Sequence, residues 1–387
     1  MQLTFKCTMN PADGYPIKIF QNIINHASLA ILSPFLIRYD ATEKKFVADS
    51  KFYRKILAAF LHIGIIGQYC LLAYERIQTK DRVQYWTKIL SSIAIGLHLY
   101  SITYTIWFKQ KKMMDFLNQM RALCDHLNQN GFLRIHKKII WVLKILSPAS
   151  VIIYGLISLQ LPNHKSKLQA YNWTETCSVF LIMSTNETSI FGNESFSQSA
   201  YCSFLKARLI LKFMQNAHIM FGFLLLFGVS LSLWLIIKDF VHILQEKSPK
   251  PEQVKYVLDA LVEISKVFGS CDRTFGFMYA QTGLTLIPIL AIECHQLFKE
   301  NVFERIEFVA DATIFATTLI LAAGCNSLIK SIPIRIFQSI STDSKHFSNN
   351  YGHSLEFRST LLMNLINADQ FGISGHFFVI TYEFVGT

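Results

Sequence analysis

Charged residues are scarce in this chain. Asp, Glu, Lys and Arg make up 16% of its 387 residues, against about 25% in an ordinary soluble domain. Gly and Pro are also few, 17 and 9, which excludes a Pro/Gly-rich low-complexity chain. There is no Walker loop, no GxGxxG, no HExxH and no paired CxxC, so nothing marks a nucleotide, dinucleotide or zinc-hydrolase site. The twelve histidines are scattered, with His62, His98, His218 and His295 in or at the ends of different apolar segments. No metal or cofactor is called for, and no enzyme chemistry has positive support. The first 16 residues lack an apolar stretch before a small-residue cleavage site, so no removable signal peptide is expected.

What the chain does have is apolar: 51% hydrophobic and 13% aromatic residues, with a mean hydropathy of +0.31. Seven segments are long and apolar enough to be read as helical spans of about 20 residues. They are Ile56–Tyr74, Ile89–Phe108, Ile139–Leu161, Leu209–Ile237, Cys271–Leu297, Ile306–Ile329 and Phe371–Thr387. Lys144, Lys212, Glu293 and Asp311 are the charges inside them, and ionisable groups there are costly and face a cavity or a partner. An eighth stretch, Ile17–Leu36, carries Asn22, Asn25, His26 and Pro34, which suits a re-entrant or interfacial helix better than a span.

The net charge of +11 admits nucleic acid or a membrane, and position decides between them. Loops on the side of the N-terminus hold 25 Lys and Arg and the opposite loops 10, with two inside spans. This asymmetry places the N-terminus in the cytoplasm and, after seven spans, the C-terminus outside. No nucleic-acid motif accompanies the basic loops.

Sequons agree independently. The Asn-x-Ser/Thr triplets start at Asn172, Asn186 and Asn193 and occur nowhere else. All three fall in loop 162–208, the one the charges place outside. That loop also holds Cys177 and Cys202, either bridged or both free thiols.

The expected fold class is therefore an all-α membrane protein with seven transmembrane helices. Residues 1–55 form a cytoplasmic N-terminal segment with the re-entrant helix. Residues 56–237 carry spans one to four and the glycosylated extracellular loop. Residues 238–387 carry spans five to seven with a cytoplasmic helical anchor. After Ser248-Pro249-Lys250-Pro251, Val254, Val257, Leu258, Leu261, Ile264 and Phe268 recur at helical spacing. No break separates them from the fifth span, so one long amphipathic helix is expected, offering a surface for other helices or subunits. Only 17 residues follow Gln370, short for a full span, so the last span is carried as incomplete. A metabotropic seven-span receptor would need its N-terminus outside, against both charges and sequons. A transporter or membrane enzyme stays open as a further alternative.

The inverted topology and the long helix before the fifth span resemble the insect odorant receptors. Cys325 with Ser327-Leu328 resembles that family's exit from the sixth span. Arg358, Leu361-Leu362-Met363, Phe371, Ile373, Gly375, Phe377 and Phe384 resemble its run into the last helix. The related gustatory receptors share the topology, and Thr381-Tyr382 matches the opening of their Thr-Tyr signature. The odorant-receptor resemblance implies a subunit of a heterotetrameric, ligand-gated, non-selective cation channel with a co-receptor as partner. Such a subunit lies in the plasma membrane of sensory dendrites, binds a small volatile in the outer half of its bundle, and opens the pore through the last helix. For a pocket there, the topology selects His98 and Leu99 on span two, Tyr154 and Ser158 on span three, Phe213, Asn216 and Met220 on span four, and Thr313 and Thr317 on span six. Ordinary interhelical packing is the competing role for each of them.

Overall fold

The computed structural model describes residues 14–77, 82–157, 198–246, 251–296 and 302–342, with Thr360, Ile373 and Ile380. Among these are eight helices and one β-hairpin. In chain order they are α1 (Ile17–Leu29), β1 (Leu36–Asp40), β2 (Lys45–Asp49), α2 (Phe52–Ile77), α3 (Arg82–Phe108), α4 (Gln110–Gln129), α5 (Lys137–Ile157), α6 (Gln198–Glu246), α7 (Pro251–Gln296) and α8 (Val302–Thr342). Six of the seven expected spans fall inside α2, α3, α5, α6, α7 and α8, as far as the described residues run.

Windows in α5 (Lys137–Leu156), α6 (Ile210–Glu246) and α8 (Val309–Ile332) are long and apolar enough to cross a membrane. They differ in role: 78% of the α6 window is buried inside the protein but only 22% of the α5 window. Accordingly α6 is the central helix, touching α1, α2, α3, α5, α7 and α8. At 49 residues it is about 74 Å long, more than twice a hydrocarbon core of about 30 Å. Helix α5 presents Trp141, Ile145, Leu146, Ile152, Ile153 and Leu156 outwards, and α2 presents Phe52, Leu57, Phe60, Ile63 and Ile66. Apolar faces this extensive are unsuited to water and match lipid.

The long amphipathic helix is present. Helix α7 runs unbroken through 46 residues, and Val257, Leu258, Leu261, Ile264 and Phe268 are all buried. Helix α4 packs along it. Phe20 of α1, Phe116 of α4 and Phe275 of α7 meet edge to face, with ring centroids 5.5 to 6.2 Å apart, an arrangement that adds about 0.5–1.5 kcal/mol per pair beyond burial.

Three expectations are corrected. The 17–36 segment is helical only to Leu29, where Leu32 and Ser33 donate back to the Ala27 carbonyl and Ile31 takes a φ of 62°. Helix α1 is not laid on an open surface: Ile17, Phe20, Gln21, Ile24, Ala27 and Ser28 are buried, against α5 and α6. Gly228 of α6 allows this approach, since a Cβ there would lie 2.5 Å from Ile23 Cδ1.

The fold is also not purely helical. Leu36–Asp40 and Lys45–Asp49 pair as an antiparallel hairpin, with Arg38 opposite Val47. Asp40 Oδ1 accepts from Thr42 and Glu43 N–H in its turn. Both outer edges are closed by asparagine amides. Asn25 pairs with the N–H and C=O of Ile37, and Asn118 with those of Phe46, so neither edge is left with open backbone groups at these positions.

Finally, the expected last span is not helical at its two described residues. Ile380 N–H donates to Ile373 C=O at 3.1 Å, seven positions apart where an α-helix pairs four. The Asn326 amide of α8 takes up the Ile373 N–H and C=O in place of helical partners.

Candidate functional site

Polar side chains from four apolar helices meet inside the bundle. His98 Nδ1 of α3 lies 3.2 Å from Gln281 Oε1 of α7. Ser101, one turn on, donates to the same oxygen and to the His98 carbonyl. Gln281 Nε2 reaches the Ala94 carbonyl at 3.4 Å. On the α6 side, Phe223 stacks on the His98 ring with centroids 4.7 Å apart. Further along α3, Thr103 meets His218 Nε2 of α6 at 3.3 Å. Trp107 Nε1 donates to His62 Nδ1 of α2 at 2.7 Å. The His62 and His218 rings lie 4.8 Å apart, closing a seam across α2, α3, α6 and α7.

The donor set is incompletely satisfied. Trp107 occupies the Nδ1 lone pair of His62, so in the neutral ring the proton sits on Nε2. His62 Nε2, His98 Nε2 and His218 Nδ1 are shielded from solvent and make no hydrogen bond of good geometry. Leu32 and Ile219 provide backbone groups beside His62 and His98. Buried polar atoms without partners are uncommon. Here the three nitrogens lie within an apolar wall. No group of three metal-ligating side chains occurs among the described residues.

Close backbone approach shapes the seam. A Cβ at Gly222 would lie 2.3 Å from Ile102 Cδ1 and 3.1 Å from His98 Nε2. Beside it, Phe223, Leu226, Tyr279, Thr282, Phe315, Thr318 and Leu319 enclose a crevice of about 10 Å³ between α6, α7 and α8, room for about one water. Ser230 and Tyr279 hydrogen-bond at 2.7 Å along its edge.

The residues expected to bind ligand fall into separate groups. His98 is buried in the seam, and Leu99 and Met220 are buried on α3 and α6. Tyr154 donates to Asp311 Oδ2 at 2.8 Å, joining α5 to α8, and the Phe213 ring packs on Gly155 beside it. Asn216 is half-buried on α6. Thr313 is exposed and Thr317 half-buried, and their hydroxyls donate back to the Val309 and Thr313 carbonyls, as threonines in apolar helices do. Ser158, Asn172, Asn186, Asn193 and Cys177 lie outside the described residues, as does the side chain of Cys202. Cys70, Cys124, Cys271 and Cys325 are free thiols.

The sequence marks His98 as a candidate contact and sets His62 and His218 among scattered histidines of the apolar segments, but it does not single out Gln281, Ser101 or Trp107. Gln281, Ser101, Trp107, His62 and His218 each interrupt an apolar run, and that interruption was the available signal. Which interruptions share a level of the bundle was not legible.

Outside the spans, burial shifts several groups. Tyr15 is pushed up to about 12 by burial and by the Asp125 carboxylate it bonds, and the buried Cys124 thiol is pushed up as well. Burial, with the nearby Lys112 charge, lowers the Lys109 ammonium. Lys109 donates to the Arg273 carbonyl at 3.0 Å, tying the end of α3 to α7.

Long apolar helices with outward apolar faces define a helical membrane protein. No family profile matches the chain, and no curated protein matches it in sequence. Its structure is similar to that of the insect olfactory receptor OR5 from Machilis hrabei, with a TM-score of 0.52 at 9% identity, over 96% of this chain and 92% of that one. A second structure of that receptor, in complex with eugenol, aligns over the same shares with a TM-score of 0.48 and 12% identity. The chain has the insect olfactory receptor fold.

Proposed function

We infer that the chain is an odorant-binding subunit of a ligand-gated, non-selective cation channel, assembled with a co-receptor subunit into a heterotetramer. The observation that carries this reading is the likeness in fold to an insect olfactory receptor along 96% of the chain. The N-terminus is cytoplasmic, and the loop bearing Asn172, Asn186 and Asn193 is extracellular and glycosylated, as the basic-residue asymmetry and the sequons both favour. Cys177 and Cys202 are the candidate disulfide pair of that loop. Helix α7, continuous from its amphipathic start into the fifth span, is the natural core of a cytoplasmic anchor.

The ligand is a small, largely apolar volatile with one hydrogen-bonding group. His98, Leu99, Tyr154, Ser158, Phe213, Asn216, Met220, Thr313 and Thr317 are its candidate contacts. Binding shifts a two-state equilibrium of the bundle towards the open pore. The seam through His98, His218 and His62 supports this, because it gathers buried polar side chains where α2, α3, α6 and α7 meet.

The test is co-expression in oocytes with an insect odorant co-receptor, recording current during a panel of volatiles that includes eugenol. Rapid inward current that needs both proteins and survives G-protein blockade is expected. Glycosylated surface protein that stays silent with every partner and volatile refutes the reading, and current from the chain alone transfers it to a taste-type homomeric channel. In the same cells, endoglycosidase treatment is expected to shift the mass of the protein. No shift, or an N-terminal tag accessible without permeabilisation, overturns the orientation.

A further inference from the structure

Helix α5 carries a charge on a face that matches lipid. Its window Lys137–Leu156 is long and apolar enough to cross a membrane, and only 22% of it is buried inside the protein. Lys144 lies within that window and is exposed, as are Trp141 and Ile145. At spacings of three and four residues these side chains share one face of the helix.

The neighbours of α5 fix the level of Lys144. Just before the helix starts, His136 meets Asp239 of α6 at 2.7 Å and donates its N–H to the Gly14 carbonyl. Asp239 closely follows the last apolar residues of the fourth span, so this contact marks the end of the lipid-matched zone. Three turns on, Ser147 meets His26 of α1 at 3.1 Å. Lys144 stands eight positions past His136, about 12 Å along the helix. That is deep enough for apolar neighbours to surround its stem, and shallow enough for the ammonium to reach back to the headgroup region.

No acid of the surrounding helices serves it. Helix α5 has no Asp or Glu in its 21 residues, and α1 has none either. Of the two carboxylates of α6, Asp239 accepts from His136 and the Arg134 N–H, and Glu246 pairs with Arg134 and His242. Helix α8 joins α5 through Asp311 at Tyr154, ten positions further along. In water an ammonium so placed would simply be solvated. On a face turned to lipid it is not, and its counter-charge comes from the bilayer. The edge beside it is polar: the Lys144 charge acts on His26, and Asn22 lies half-buried one turn before His26 on the same face of α1. A zwitterionic headgroup would bring its own cation beside Lys137 and Lys138, both exposed at the start of α5. An anionic one removes that repulsion.

We propose that the α1–α5 edge at Lys144 holds the headgroup of an anionic phospholipid. Its phosphate meets the Lys144 ammonium, and its glycerol ester carbonyls accept from the Asn22 amide. In the cell the source is the cytoplasmic leaflet, where such lipids reside, and that clause alone rests on the orientation given under Proposed function.

The test uses the full chain in phosphatidylcholine nanodiscs, without a co-receptor and without measuring current. Phosphatidylserine with brominated acyl chains is the probe, against brominated phosphatidylcholine at the same mole fraction. Quenching at Trp141 is read as the part of the emission that is absent in W141F. Phosphatidylserine should be preferred there by about fivefold or more, and the preference should survive about 0.5 M salt, which screens diffuse surface attraction. K144Q should lower it by about fivefold, K144R should keep it, and K111Q, which removes an exposed charge on α4, should leave it unchanged. Equal quenching by the two lipids in the unaltered chain overturns the proposal, as does a preference lost in salt or an indifferent K144Q with an unchanged melting midpoint. Quenching by neither lipid also overturns it, since protein rather than lipid then covers this face. A phosphatidylserine preference in a chain whose N-terminal tag is accessible from outside would sink the orientation alone. An inward N-terminus without the preference would sink this inference alone.

Discussion

Asn326→Ala is the substitution whose outcome the structure specifies most narrowly. Asn326 is 2% exposed on α8. Its Oδ1 accepts from Ile373 N–H at 2.8 Å, and its Nδ2 donates to the carbonyls of Ile373 at 3.3 Å and Ile380 at 2.5 Å. Both isoleucines are 1% exposed, so water does not replace what the amide supplies. Alanine removes all three bonds. Ile373 C=O keeps Ile380 N–H, which leaves two backbone groups without partners, Ile373 N–H and Ile380 C=O. Each buried orphan costs about 1–3 kcal/mol, so the clamp loses about 2–6 kcal/mol. The lower figure corresponds to about a 30-fold rise in opening. Hydrogen–deuterium exchange reads this directly. The peptide carrying Ile373 should exchange at least about 30-fold faster in N326A, with little change in the amides of α8 on either side of position 326. Asn326→Asp should do no better, because a carboxylate would face two carbonyls. Unchanged exchange at Ile373 in N326A would refute the reasoning.

Gly222→Ala places a methyl 2.3 Å from Ile102 Cδ1 and should destabilise the α3–α6 contact by about 1–3 kcal/mol. In melting experiments Ile102→Ala should recover part of that loss, and strict additivity of the two changes would contradict a direct clash. Trp107→Phe keeps most of the ring but leaves His62 Nδ1 without its donor, costing about 1–2 kcal/mol, while a further His62→Leu change should remove most of that penalty. His26 is held below its ordinary value of 6.5, first by burial and then by Lys144. The folded protein therefore binds fewer protons there than the unfolded chain, and this contribution is present above pH 6.5 and lost as pH falls through it. The melting midpoint should drop between pH 7 and 5, less steeply in His26→Asn, and equal slopes would exclude His26 as a source.

The elements that were legible share one property: their signal is local. Six apolar runs of about 20 residues stand out along the chain, and each is helical as far as it is described. The α7 helix showed itself by the spacing of Val257, Leu258, Leu261, Ile264 and Phe268, all of which proved buried. The β-hairpin was hidden because Leu36–Asp40 and Lys45–Asp49 are only five residues each, too short to outweigh the apolar helix before them. In the sequence, Asn25 counts only as a polar residue that disfavours a span. Its actual task, pairing with Ile37, depends on a strand that had not been foreseen. Asn118 and Asn326 repeat that task on Phe46 and Ile373, and nothing local distinguishes them from solvated asparagines.

From the sequence alone came a helical membrane protein, the positions of most of its helices, and the basic asymmetry that favours an inward N-terminus. These follow from composition and from periods of a few residues, because the lipid-facing requirement acts on each helix separately. The tertiary structure alone decided that α1 is enclosed, that α6 is the central helix, and that a hairpin rests on α4. It alone decided that His98 meets Gln281 across 183 positions of sequence, and that Lys112 and Arg273 line one cavity. Those pairings depend on how helices rotate and approach at glycines such as Gly222 and Gly228. Rotation and approach are settled by the packing of many side chains at once, and no window along the chain contains them.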